Sequence, residues 1–351
     1  MRESAGLGFG GFLLGLGLGW YIFRAIEISY NVFAWILIIA GAGVVISALI
    51  SWGRPSLPLR GLASGLTGGL ILSLFLTSGF GIIGDITRGG ISLTYREEDT
   101  KSYSGAVTAG KVYLEVDNFN GPIRVSTWDK AEYSVDLTIK ARTKQDLDDL
   151  KIDFDESGTQ DQSRLTLKYD IPQSARSRYA IEVDVFLPAD AVIDLDLDSS
   201  NGGIYLTGIE GDELRMATSN GPLVFDDVYG ESVRGETSNG RIEGDVESKD
   251  AILSTSNGKI DLTIPCTVNG EYVLGTSNGA IELIVSPSAQ VGYDLDLSTS
   301  NAGIDIDLSD LDYTQNQRTK KAAKTEGFSG KAVQIVIEAI TSNGAIDVDT
   351  F

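Results

Sequence analysis

The side chains best placed for chemistry are a series of carboxylates, Glu243, Asp261, Glu282, Asp305 and Asp347, each four residues beyond an asparagine of a recurring Ser-Asn-Gly-like turn. If the turns stack, these carboxylates stack too, on the outer face and about one strand spacing apart, where like charges repel. Columns of carboxylate oxygen suit hard cations, so weak calcium binding at Glu243, Asp261, Glu282 and Asp305 is one expectation. A solvated acidic face with diffuse counterions is the plainer one. No other cofactor is expected. The 351-residue chain has no histidine, which removes the commonest general base and excludes Ser-His-Asp, Cys-His and His-bearing zinc sites. Its one cysteine, Cys266, lies in the apolar run Leu262-Thr-Ile-Pro-Cys266, reads as a small core residue and can form no intrachain disulfide. Glycoside hydrolysis needs two carboxylates in distinct environments, and no such pair stands out. The expected function is therefore non-enzymatic, with a polysaccharide-acting enzyme as the minor alternative.

The turns that would carry these carboxylates recur at Asn201, Asn220, Asn239, Asn257, Asn278, Asn301 and Asn343, with an earlier copy at Asn120. From Asn201 the gaps are 19, 19, 18, 21, 23 and 42 residues, the last being twice 21, so one degenerate rung or excursion is expected there. Alternate residues share a face in a strand. Ala251, Leu253, Thr255 and Asn257 keep one parity, and Ile260, Leu262 and Ile264 resume it after Gly258. This predicts a parallel β-solenoid of about 20 residues per rung, with Thr and Asn facing inward. The seven asparagines Asn201 to Asn343 would form a structural ladder of side-chain amides. Glycine is expected after each asparagine because a sharp bend favours positive φ, and second bends are expected near Gly211, Gly230 and Gly270. The repeat lapses between Asn120 and Asn201, where alternating strands predict an antiparallel-like capping region at about 130–190, with a short helix over 143–150. The basic cluster Arg318, Lys320, Lys321 and Lys324 reads as a hairpin tip or excursion.

Three apolar stretches free of charged residues precede the solenoid, at about 5–23, 32–52 and 62–83, each near the length that crosses a bilayer as a helix. The expected organisation is three transmembrane helices within 1–84, a juxtamembrane linker over 85–106 and the solenoid over 107–351. Small-residue stripes at Gly11, Gly15 and Gly19 and at Gly61, Gly65 and Gly69 would pack these helices. Arg2, Arg54 and Arg60 on one side outnumber Arg24 and Arg88 on the other. The positive-inside rule then puts the N-terminus in the cytoplasm and the large domain outside, in a multi-pass cell-membrane protein. Charge is divided the same way. Up to Gly84 there are four basic and two acidic residues, against 24 and 47 in the remainder, so the outer domain repels nucleic acid.

The run Ile181-Glu-Val-Asp-Val-Phe-Leu-Pro188, followed by Ser200-Asn-Gly-Gly-Ile204 and further Thr-Ser-Asn-Gly turns, resembles a family of candidate-adhesin domains, surface β-solenoids of uncharacterised activity, from about Val107 to Phe351. The resemblance implies a fold and no catalytic residues. The expected protein is a membrane-anchored envelope component presenting an acidic solenoid for adhesion, surface polymer contact or self-association. The alternative is an envelope-sensing or regulatory subunit of a membrane complex. Expected partners are membrane lipid, a second copy, another envelope protein or a surface polymer.

Overall fold

The computed structural model describes residues 95–351 apart from 109, 160 and 287. The expected spans at 5–23, 32–52 and 62–83 and their glycine stripes lie outside the described residues. Among the described residues no helix is long and apolar enough to cross a membrane.

The architecture is an all-β, solenoid-like stack of mainly parallel rungs. In chain order the elements are β1 (Glu97–Ala106), β2 (Lys111–Asp117), β3 (Ile123–Trp128), β4 (Glu132–Ala141), α1 (Lys144–Asp149), β5 (Ile152–Gly158), β6 (Gln162–Tyr169), β7 (Tyr179–Pro188) and β8 (Val192–Ser199). Three long strands follow, β9 (Ile204–Thr218), β10 (Leu223–Thr237) and β11 (Ile242–Thr255), each bending from one face of the stack to the other. Beyond them lie β12 (Ile260–Ile264), β13 (Gly270–Thr276), β14 (Ile281–Val285), β15 (Val291–Thr299), β16 (Ile304–Ile306), β17 (Leu311–Gln317), β18 (Lys320–Thr325), β19 (Val333–Thr341) and β20 (Ile346–Thr350).

Each rung has one strand leading into an Asn-Gly corner and one leading out. The inbound face runs β5, β6, β2, β8, the second halves of β9, β10 and β11, then β13, β19, β15, β18 and β17. The outbound face runs β1, β4, β7, β3, the first halves of β9, β10 and β11, then β12, β14, β20 and β16. Alternate residues of both faces meet in one continuous core, in which Leu214, Met216, Leu223, Phe225, Leu253 and Leu262 are all buried.

Two boundaries differ from expectation. The stretch assigned to a linker over 85–106 contains β1, which pairs antiparallel with β4 over ten residues and lays Tyr103 on Phe154 at a ring separation of 4.4 Å. The capping region is mixed rather than antiparallel: β4 and β5 run antiparallel to β7 and β6, but β6 and β7 themselves stack parallel on β2 and β3 as a further rung. The helix falls at α1, where the Thr143 hydroxyl accepts from the Asp146 N–H as its N-cap.

Glycine is required at the corner for a reason other than positive φ. Of the corner glycines only Gly121 has positive φ, at 108°. A Cβ added at Gly202, Gly221, Gly240, Gly258, Gly279 or Gly344 would instead lie 1.6 to 2.0 Å from the carbonyl oxygen of the preceding rung's glycine. Gly240→Ala is accordingly expected to destabilise by about 3 kcal/mol or more, because backbone must move. Gly303→Ala, with nothing within 4 Å of the new methyl, should stay within about 0.5 kcal/mol of the parent. Denaturant unfolding of the two variants checks the contrast.

Candidate functional surface and the ladders behind it

From the rung of Asn220 onward the strand ends on a buried threonine at each corner, with Ser199 in its place before Asn201; the chain pushes the next Ser and Asn outward, and glycine, or Ala302 in one rung, turns back in. Strand parity therefore stops at the threonine. Asn201, Asn220, Asn239, Asn257, Asn278, Asn301 and Asn343 are exposed, which corrects their expected inward orientation. They nevertheless stand in one column with Asn120. The Asn201 Nδ2 donates to Asn120 Oδ1 at 2.6 Å, Asn220 to Asn201 at 2.7 Å, Asn239 to Asn220 at 2.8 Å, Asn257 to Asn239 at 2.7 Å and Asn278 to Asn257 at 2.7 Å. Asn343 then donates to Asn278 at 2.7 Å, and Asn301 to Asn343 at 2.6 Å.

The buried ladder belongs to threonine. Thr237, only 2 % exposed, donates its hydroxyl to the Gly221 carbonyl of the preceding rung at 3.0 Å and accepts from the Gly240 N–H of its own corner at 3.1 Å. Thr218, Thr255, Thr276 and Thr341 repeat both bonds at 2.9 to 3.3 Å. In the rung of Asn301, Ala302 replaces glycine, and its N–H to Thr299 Oγ1 lengthens to 3.5 Å.

The carboxylates do stack in register, Glu243 beside Asp261, then Glu282, Asp347 and Asp305. Much of the column carries its own cations. Lys259 Nζ bridges Asp261 at 2.7 Å and Glu282 at 2.6 Å, and Arg241 binds Glu243 at 2.5 Å. Among the described residues no three carboxylates converge as metal ligands. At the first three of the positions expected to hold calcium, Glu243, Asp261, Glu282 and Asp305, the carboxylates are already ion-paired, because an arginine or lysine two residues beyond the corner asparagine folds over them. Repulsion persists further along, where desolvation and then Glu282, Asp349 and Asp305 raise the pKa of Asp347.

The basic cluster has a similar structural role. It forms the β17–β18 hairpin, and Lys324 meets Asp294 at 2.6 Å while Lys320 lies 3.8 Å from Asp296. Antiparallel pairing of β18 with acidic β15 sets Lys324 directly opposite Asp294 and Lys320 on the diagonal to Asp296. Cys266 is buried, and that burial raises its thiol pKa, as suits a core residue.

A groove that the repeat did not reveal opens on the outbound face, where β7 and β9 flank β3. It encloses about 330 Å³ and is lined by Arg124, Ser126, Asp184, Phe186, Tyr205 and Thr207. Phe186 forms a braced wall: Trp128 stacks on it at 5.2 Å, and Lys130 covers Trp128 from 4.0 Å. Arg124 pairs with Asp184 at 3.1 Å and lies 5.8 Å from the Tyr205 ring centroid. Aromatic rings and a pair of opposite charges thus share one outward-facing stretch of the sheet. Its one sequence signal is Trp128, the only tryptophan beyond residue 52.

These contacts rank two substitutions. Thr255→Val strands a buried carbonyl and a partly buried N–H and should cost about 2–3 kcal/mol, whereas Asn257→Ala, at the exposed corner, should cost about 1 kcal/mol; thermal unfolding gives the order. For Asp347 the raised pKa means that the folded state binds the proton more tightly, so its ionisation opposes folding as pH rises through the carboxylate range. Asp347→Asn is expected to gain about 0.5 kcal/mol at pH 7, with the gain shrinking in 1 M salt.

Among known proteins, no curated sequence matches the chain. Solved structures provide distant likenesses. A candidate cell adhesion protein from Clostridium sporogenes is 11% identical, with 72% of this chain and 100% of that chain covered and a TM-score of 0.36. A candidate adhesin from Bacteroides fragilis is 11% identical, with 73% and 98% covered and a TM-score of 0.33. A candidate lipid binding protein from Parabacteroides distasonis is 12% identical, with 71% and 96% covered and a TM-score of 0.29. Over residues 189–349, which hold the regular rungs, the chain matches the family described as Toastrack DUF4097.

Proposed function

We propose that this protein is a non-enzymatic component of the cell envelope, in which three N-terminal membrane helices hold a stiff acidic solenoid on the extracytoplasmic side for adhesion, surface polymer contact or self-association. The observation that carries the reading is the separation of the two kinds of polar group. Threonine and glycine groups at the corners are spent on one another inside the stack, while the carboxylates and the Phe186 groove face outward. Interior bonding stiffens a scaffold whose rungs contact mainly their neighbours. The exterior is left for contact.

The uncharged apolar stretches at 5–23, 32–52 and 62–83 support the anchor, and the excess of arginine on the N-terminal side supports the orientation. The excess of acid beyond Gly84 keeps such a domain soluble and away from anionic headgroups. In intact cells, added protease should remove an epitope tag placed after Phe351 and degrade the solenoid while a cytoplasmic marker survives. Full protection of the tag, with cleavage only after permeabilisation, would overturn the orientation.

A further inference from the structure

Chain order and rung order disagree at the far end of the stack. Asn301 precedes Asn343 in sequence, yet Asn343 sits between Asn278 and Asn301 in the amide column. The strands agree: β19 lies parallel between β13 and β15, and β20 lies parallel between β14 and β16. The 42-residue gap thus holds the β17–β18 hairpin, which extends the inbound face beyond β15, and then a rung, β19–β20, inserted one place earlier.

Segment 333–350 therefore fills a slot whose two walls are built before it in the chain. One wall is β13 with β14. The other is a cap, β15 to β18, joined to the stack by residues 286–290 and 326–332. Within the slot Ile335, Ile337, Ala339, Ile346 and Val348 are fully buried, and Thr341 donates to the Gly279 carbonyl at 3.0 Å. Both tethers of the cap border one cleft of about 330 Å³, lined in part by Ser286, Ala289, Tyr293, Asp310 and Lys331.

The connection 326–332 has the features of a hinge. Gly327 takes the left-handed conformation at φ 68°, and Phe328–Gly330 form a single 3-10 turn. Lys331 Nζ is held by the Ala289 carbonyl at 2.9 Å. In the closed chain this connection crosses only the two strand spacings from β18 over β15 to β19, about 10 Å. Fully extended, its seven residues reach about 24 Å. The surplus is enough to deliver segment 333–350 to a neighbouring molecule.

We propose that the slot between β13/β14 and β15/β16 is a strand-acceptor site, and that two copies of this chain exchange β19–β20 through the hinge at 326–332. The exchange deepens the self-association named above and rests on that reading. The exchanged pair keeps every backbone and side-chain bond of the slot and changes only the hinge, which is why swapping is a low-cost route to a dimer. Confinement of chains in one membrane raises the effective concentration and favours it.

The test uses two differently tagged full-length chains expressed together, one carrying Glu271→Cys and the other Val336→Cys. These positions pair across β13 and β19 and both face outward. A disulfide joining the two tags forms when segment 333–350 of one copy lies in the slot of the other. A single chain with both substitutions reports closure on itself. Deleting Gly327–Gly330 leaves three residues, about 10 Å of extended chain, which still spans the closed crossing but removes the surplus reach, so the cross-copy product should fall several-fold while the single-chain disulfide persists. Cross-copy disulfide in the parent-hinge pair, reduced by the shortened hinge, is the expected result. No cross-copy disulfide with the parent hinge, while the single chain with both substitutions closes on itself, overturns the proposal. The tag-accessibility result is separate, so an outward-facing solenoid that does not exchange strands would leave the envelope reading standing.

Discussion

Successive glycines at the Asn-Gly corner approach so closely that any Cβ would lie inside the van der Waals radius of the next carbonyl oxygen. From this contact the rest of the rung follows. A backbone packed that tightly excludes water, so its N–H and C=O groups need protein partners. A threonine hydroxyl, which both donates and accepts, serves a carbonyl of the rung before and an N–H of its own corner. Once threonine closes the corner from inside, Ser and Asn must lie on the rim, where the asparagine amides continue the stacking in water. In the one rung where alanine replaces glycine, the same hydrogen bond is the longest of the series.

Strand direction and side-chain parity were readable wherever the chain was straight. Leu253 and Leu262 are buried where alternation puts them. Asn257, two residues past Thr255, is not, because alternation describes a pleated strand and lapses at a bend. The seven asparagines had a legible spacing and an illegible orientation. Spacing also fails to report spatial order: a gap of two periods fits an excursion and an out-of-order rung equally well. β1 escaped notice for another reason. Its sequence, Glu97-Glu-Asp-Thr-Lys-Ser-Tyr-Ser-Gly-Ala106, has almost no apolar alternation, and its place depends on a long-range partner, β4. The carboxylate column was legible as a column. Its neutralisation depended on which way Arg241 and Lys259 fold, a matter of side-chain reach across neighbouring strands.

Both ends of the stack meet the problem of exposed strand edges. At the near end β1 and β5 close the two faces with strongly acidic sequences, and Tyr103 and Phe154 pack beneath them. At the far end a hairpin of mixed charge lies against acidic β15. Regular rungs occupy the middle, and irregular, charged or antiparallel elements are confined to the two caps. Terminal units of repeat proteins are atypical for the same reason: a regular rung placed at the end would invite another.

The asparagine column has a direction. Each of the seven links runs from an amide nitrogen to the amide oxygen of the next side chain toward the β6–β7 end of the stack, without reversal from Asn301 to Asn120. Aligned amide dipoles add, as peptide dipoles do along a helix, and each bond polarises the next. The positive end is absorbed at Asn120, whose nitrogen donates to the carbonyls of Arg176 and Tyr179. The negative end emerges at Asn301. There the guanidinium of Arg318, at the turn of the capping hairpin, donates to the backbone carbonyl of Asn301 at 3.0 Å, which sets a cation beside the oxygen-rich end of the column without bonding to its last amide oxygen.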